Sequence, residues 1–154
     1  MLNVVLYQPE IPPNTGNIIR LCANTGAMLH LVGPLGFVLD DARLKRAGLD
    51  YTDMANVRTY KNWQSWLEQY PETPVWAFST RGTVRYTEAA ICKGEARLFG
   101  PETRGLPPEE LKHAGPERVL RLPKQSDSRI LNLSNTVAVA LYEGLRRLNF
   151  AGLE

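Results

Sequence analysis

Only two of the 154 residues are cysteine, Cys22 and Cys92, and only two are histidine, His30 and His113. Two isolated thiols outside any CxxC pair cannot build a tetrahedral zinc site alone. Both lie in apolar surroundings, so both are expected as buried, reduced thiols. No HExxH and no carboxylate cluster marks a metal site, and each histidine stands alone, so both are expected to be structural. GxGxxG, GxxxxGK[ST] and GxSxG are all missing, which sets aside the dinucleotide fingerprint, the P-loop and the serine-hydrolase elbow. No apolar run approaches the ~18 residues that a membrane span needs. Met1-Leu2-Asn3-Val4 lacks the basic opening of a signal peptide, and a reducing, cytoplasmic setting is expected. The net charge of +2 neither demands nor excludes a nucleic-acid partner, because clustering matters more than the sum.

What is present reads as one α/β domain over 1–154, without repeat, low-complexity tract or linker. Strands are expected at Leu2–Tyr7, Met28–Val32, Pro74–Phe78, Ala96–Phe99 and Arg118–Leu122. Helices are expected at Thr15–Thr25, Lys61–Tyr70, Pro108–His113 and Asn132–Leu148. Strands alternating with helices predict a mostly parallel sheet covered on both faces.

In the first helix Asn14 reads as the N-cap and Gly26 as the C′ glycine. At about 100° per residue Ile18, Leu21, Cys22 and Thr25 share one face, and Asn17, Arg20 and Asn24 the other. Arg20 thus lies on a polar stripe, where a solvated surface arginine is the plain alternative to a functional one. In the last helix Leu133, Val137, Leu141, Gly144, Leu145 and Leu148 form an apolar arc that Val139 and Tyr142 widen. Such an arc fits either a second copy of the chain or a central core helix.

Three polar segments lie around strand ends. They are Asn14-Thr15-Gly16-Asn17-Ile18-Ile19-Arg20, the loop Gly100-Pro101-Glu102-Thr103-Arg104-Gly105, and Leu122-Pro123 through Asn132-Leu133-Ser134-Asn135. The Gly100–Gly105 loop follows a strand at the end where open α/β sheets bind ligands. A βα turn with a solvated Glu–Arg pair accounts for the same residues. Basic residues group as Arg43, Lys45 and Arg46, as Arg121, Lys124 and Arg129, and as Arg146-Arg147, with Phe37, Tyr51 and Tyr60 near some of them. Cations for phosphates and flat rings for splayed bases suit RNA. A mixed-charge solvated surface suits them as well.

Taken together and in order, the three segments resemble the motifs of the SPOUT RNA methyltransferases. Leu6-Tyr7-Gln8-Pro9-Glu10-Ile11-Pro12-Pro13-Asn14-Thr15-Gly16-Asn17 and Arg46-Ala47-Gly48-Leu49-Asp50-Tyr51 resemble the minimal bacterial branch that methylates the wobble ribose of tRNA. The similarity runs from about Met1 to Phe150. It implies a parallel α/β fold whose region of about 75–150 is tied in a deep trefoil knot, an exception among folds. It implies S-adenosylmethionine as methyl donor, with S-adenosylhomocysteine as product, and no metal. Cofactor binding then falls to Phe78, Ser79, Thr80, Gly100, Glu102, Gly105, Leu122, Ile130, Leu131 and Asn132. Catalysis falls to Arg20, Asn14, Glu102 and Asn132. Arg20 approaches the 2′-OH, either as an unusual base in a desolvated cationic neighbourhood or as an orienting cation. RNA contacts fall to Arg43, Arg46, Lys124 and Arg129. The expected substrate is position 34, C or modified U, of leucine tRNAs, and the expected assembly is a homodimer away from membranes.

One position departs from the pattern. Ile130 stands where many relatives carry a serine, so a hydroxyl contact is lost there unless Ser128 or Ser134 replaces it. Two further functions stay open: a SPOUT enzyme acting on ribosomal RNA or another tRNA position, and a knotted RNA-binding protein with weak turnover.

Overall fold

Val4, Val5, Leu6 and Tyr7 are all buried, as expected of a strand covered on both faces. In the computed structural model, which describes residues 2–154, they belong to β1 (Asn3–Tyr7). The other strands are β2 (Met28–Val32), β3 (Val57–Tyr60), β4 (Val75–Phe78), β5 (Val84–Arg85), β6 (Ala96–Phe99) and β7 (Val119–Arg121). They form one seven-stranded sheet in the order β3-β2-β1-β6-β4-β7-β5. Every described pairing is parallel, with Asn3 opposite both Met28 and Ala96. The parallel α/β class expected from the alternation of elements is therefore observed.

The helices are α1 (Pro12–Thr25), α2 (Asp41–Arg46), α3 (Trp63–Gln69), α4 (Pro108–Ala114) and α5 (Leu133–Arg147). One hydrophobic cluster joins Val4, Leu6, Leu29, Leu31, Phe78, Phe99 and Leu120 to Ile18, Ile19 and Cys22 of α1 and Val137, Leu141 and Leu145 of α5. The second joins Val5, Tyr7, Val32, Val75, Ala77 and Leu98 to Trp66 of α3 and Ala114 of α4. Each fully buried aliphatic side chain contributes about 1.5–3 kcal/mol relative to exposure. The alternation along β1 sends Val4 and Leu6 to the first cluster and Val5 and Tyr7 to the second.

Four details differ from the sequence reading. β3, β5 and α2 were not expected. Asn14 does not cap α1: it is buried inside the helix, the N-cap is Ile11, and Pro12 and Pro13 fill the first turn. Cys22 is buried as expected, and burial pushes its thiol up to about 12. Cys92 is exposed in an irregular segment, because the neighbouring strand begins only at Ala96. Tyr60 is buried at the end of β3 and offers no face to RNA, whereas Tyr51 is 94% exposed. Gly26 ends α1 in the left-handed region at φ 75°, as expected.

The histidine pair is structural in one clear case. His30 Nδ1 lies 3.3 Å from the Trp66 indole N–H and 2.8 Å from the Tyr60 hydroxyl, and its Nε2 lies 3.0 Å from Asn3 Oδ1. An indole nitrogen only donates, so Nδ1 accepts and Nε2 carries the proton toward Asn3. Desolvation, reinforced by Arg58, pushes His30 down to about 4. His113 lies near the end of α4, edge-on to Trp63.

Candidate active site

The three polar segments meet through side chains. Glu102 accepts from the backbone N–H of Glu10 at 2.8 Å and of Ile11 at 2.7 Å, and from Asn14 Nδ2 at 3.2 Å. A carboxylate from the distant loop thus holds the two residues just before α1, at the end where the helix dipole favours negative charge. Glu10 reciprocates. Its Oε1 accepts from the Thr103 N–H at 2.9 Å and the Thr103 hydroxyl at 2.7 Å, and these bonds hold its carboxyl below the usual range. Arg104 reaches Glu10 Oε2 at 3.5 Å and Gln8 Oε1 at 3.1 Å.

Asn132 closes the chain of contacts from the other side. Its Nδ2 donates to Asn14 Oδ1 at 3.0 Å. Its Oδ1 accepts from the N–H groups of Ser134 and Asn135, so it caps α5 as expected. Glu102, Asn14 and Asn132 are therefore one linear network that joins two loops to α1.

The expected cofactor segments follow strands that are neighbours in the sheet. Ser79 and Thr80 follow β4, Gly100–Gly105 follows β6, and Leu122 follows β7, with β4 between β6 and β7. Ser79 N–H donates to Leu120 O at 2.9 Å, and Phe78 stacks on Phe99 at 4.6 Å between ring centroids. Gly100 is packed so closely under Gly105 that a Cβ there would fall 2.5 Å from the Gly105 carbonyl carbon. Only glycine permits that doubling back of the loop. Ile130 and Leu131 stand 69% and 42% exposed just before α5. Ser128 and Ser134 do not replace the missing serine. Their hydroxyls are engaged locally, on Gln125 O at 2.8 Å and Asn132 Oδ1 at 2.6 Å.

Arg20 lies apart from this network. It lines a cleft of about 650 Å³ with Arg43, Arg46, Asn17, Gly48 and Leu49. Its side chain is 49% exposed and is paired with Asp53, with Nε 3.3 Å from Oδ1. Its Nη2 also donates to the Gly48 carbonyl. The immediate partner of this half-exposed side chain is a carboxylate, and Arg43 and Arg46 line the same cleft. Lys124 and Arg129 are exposed in the loop before α5, away from Arg43 and Arg46 in sequence, and Lys124 folds onto Ser128 O at 3.1 Å. Asp53 and Gly48 were missed by the sequence reading. An acidic residue in a turn has no distinctive spacing, and only the fold brings it to α1.

The model of the SpoU rRNA Methylase family matches residues 1–142. The chain belongs to the SpoU methylase family. It is thus a methyltransferase, and its fold is that of the SPOUT enzymes. The tRNA (cytidine(34)-2′-O)-methyltransferase of Saccharophagus degradans is 54% identical over 152 residues, covering 99% of each chain. A solved structure described by its work on 2′-OH methylation of C/U34 on tRNA superposes with a TM-score of 0.88 at 45% identity, covering 97% of each chain. An AdoMet-bound rRNA methyltransferase from Sinorhizobium meliloti gives a TM-score of 0.83 at 26% identity, covering 96% of this chain and 56% of that one.

Phe78, Gly100 and Leu122 stand at or just after strand ends, where open α/β sheets bind ligands, and Ile130 and Leu131 expose apolar surface before α5. The side chains of Glu102 and Asn132 are both engaged within the chain, the first on Glu10, Ile11 and Asn14, the second on Asn14 and the start of α5. Among the described residues no three His, Cys, Asp or Glu side chains converge as metal ligands. No helix among them is long and apolar enough to cross a membrane.

Proposed function

We propose that the chain methylates the ribose 2′-OH of the wobble nucleotide, C34 or modified U34, of tRNA, with S-adenosylmethionine as donor and leucine isoacceptors as substrates. The observation that carries this reading is the Glu102–Asn14–Asn132 network, which ties the loops after β6 and β7 to the helix bearing Arg20. The names of the relatives above support the substrate.

Phe78, Ser79, Thr80, Gly100, Gly105, Leu122, Ile130, Leu131 and Asn132 would hold the donor, which supplies an electrophilic methyl group on a positively charged sulfur. Because that methyl is already activated, no metal is required, and a chelator leaves the rate unchanged. Arg20 orients the ribose and its phosphate as a permanent cation. Arg43 and Arg46, in the same cleft, neutralise neighbouring phosphates. Lys124 and Arg129 extend the cationic surface on the other side of the site.

The assembly belongs to the same proposal. Val139 and Tyr142 remain 43% and 47% exposed on α5, while Val137, Ala140, Leu141, Gly144 and Leu145 are buried beneath it. A homodimer covers that outer face. It also brings the Arg20 cleft of one protomer to the cofactor loops of the other, which a single chain leaves apart. The knot of 75–150 and a cytoplasmic location are part of this reading.

Nucleoside mass spectrometry of tRNA from a deletion strain tests the target: 2′-O-methylation at position 34 of leucine tRNAs disappears. Arg20→Ala abolishes transfer while donor affinity stays within about tenfold, or ~1.4 kcal/mol. Loss of a modification in ribosomal RNA instead would replace the tRNA reading.

A further inference from the structure

Arg20 is not a free surface arginine. Besides the Nε–Oδ1 contact, its Nη2 lies 3.4 Å from Asp53 Oδ2, so one edge of the guanidinium faces both carboxylate oxygens. The same Nη2 reaches the Gly48 carbonyl. No partner of Nη1 is seen among the described residues.

Asp53 is itself held. Its Oδ2 accepts from the Asp50 N–H at 2.9 Å, and its own N–H donates to Asp50 Oδ1 at 3.0 Å. Thr52 donates its hydroxyl to the same Asp50 oxygen at 2.5 Å. The Asp53 side chain is only 15% exposed, against 49% for Arg20. Leu49, 5% exposed, anchors the segment, and its N–H donates to Leu44 O at 2.9 Å. The turn therefore presents a fixed carboxylate to a long, otherwise mobile side chain.

A half-exposed ion pair contributes little to stability. Its value here is geometric: an arginine has much rotamer freedom to lose, and a fork gripped along one edge has lost much of it in advance. We propose that Asp53 is a positioning residue that grips the Nε–Nη2 edge of Arg20 and aims its Nη1 protons at an oxygen of the RNA ribose or phosphate. This rests on the reading that Arg20 meets the substrate.

Methyl transfer to tRNA by the full chain tests it, with Asp53→Ala, Asp53→Glu and Arg20→Ala compared. Asp53→Ala lowers kcat roughly 10- to 100-fold, with KM for tRNA and donor affinity nearly unchanged. Its melting temperature stays within about 3 °C of the parent, as a surface pair dictates. Asp53→Glu recovers part of the loss by restoring the carboxylate. Full turnover in Asp53→Ala while Arg20→Ala is dead would overturn the positioning role and leave the role of Arg20 intact. Full turnover in Arg20→Ala would remove the reading on which both rest. A large drop in melting temperature with no rescue by Asp53→Glu would reduce Asp53 to a structural turn residue and overturn the proposal.

Discussion

Asn132 donates to Asn14 at 3.0 Å across 118 positions of sequence, joining the cap of the last helix to the first turn of the first. Asn132 thus has two separable tasks, since its oxygen caps α5 and its amide nitrogen holds Asn14.

Substituting Asn132→Asp separates those tasks. An aspartate still caps, so thermal stability should fall by no more than about 1 kcal/mol. It cannot donate to Asn14 Oδ1, and methyl transfer should fall about tenfold or more, equivalent to ~1.4 kcal/mol in the barrier. Melting curves and initial rates on the same preparations make the comparison. Parent-like turnover would show that capping is all Asn132 does.

His30 predicts an acid-side loss of stability. Its folded value of about 4 lies below its ordinary 6.5. The unfolded chain therefore binds the extra proton first, and stability rises with pH between about 4 and 6.5. Protonating Nδ1 also removes the acceptor for Trp66. The contribution is on the order of 3 kcal/mol. Urea unfolding between pH 4 and 7 should show this slope, and His30→Gln should flatten it.

Arg97 is an expensive tenant of the sheet. It is fully buried on β6, and its Nε, Nη1 and Nη2 have no partner among the described residues. Burial pushes it down to about 10. Arg97→Met should stabilise the fold, within the range of about 1–4 kcal/mol known for replacing buried charge with apolar volume. Gly144 is the matching residue, since a Cβ there would sit 2.5 Å from Arg97 Nη2. Gly144→Ala should destabilise the parent yet be tolerated beside Arg97→Met. A lower melting temperature for Arg97→Met would show that the guanidinium is satisfied after all.

The exposed face of α5 predicts the assembly. Val139→Glu with Tyr142→Glu should shift sedimentation toward monomer and reduce transfer, while far-ultraviolet dichroism stays unchanged because both side chains point away from the chain's own core. An unchanged sedimentation coefficient would separate α5 from any interface.

The sequence made some parts of this molecule readable and hid others for physical reasons. β1, β2, β4, β6 and α5 announce themselves because burial on two faces, or along one wide stripe, requires continuous apolar residues. α2 buries no residue and so has no apolar period to read; its N-cap is Asp40, which accepts from the Arg43 N–H at 2.9 Å. β3 exposes Arg58 and Thr59 at the sheet edge, which blurs its pattern. The misplacement of the α1 cap is the most instructive. Asn14 has the right chemistry for a local cap, but the helix starts two residues earlier at Pro12, and the side chain of Asn14 is drawn instead to Glu102 and Asn132, partners that no local rule anticipates. Arg43 and Arg46 were visible as neighbours, whereas their meeting with Arg20 and the part of Asp53 become meaningful only once the chain is folded.

The pairing of Asn3 with Ala96 governs how the molecule is born. Until Ala96 has left the ribosome, β1 has a bare edge beside β2, open to other nascent chains. Asn132 emerges later still, so every product that ends before it lacks the link to Asn14. Premature termination upstream of it therefore leaves the first helix without its tie to the last.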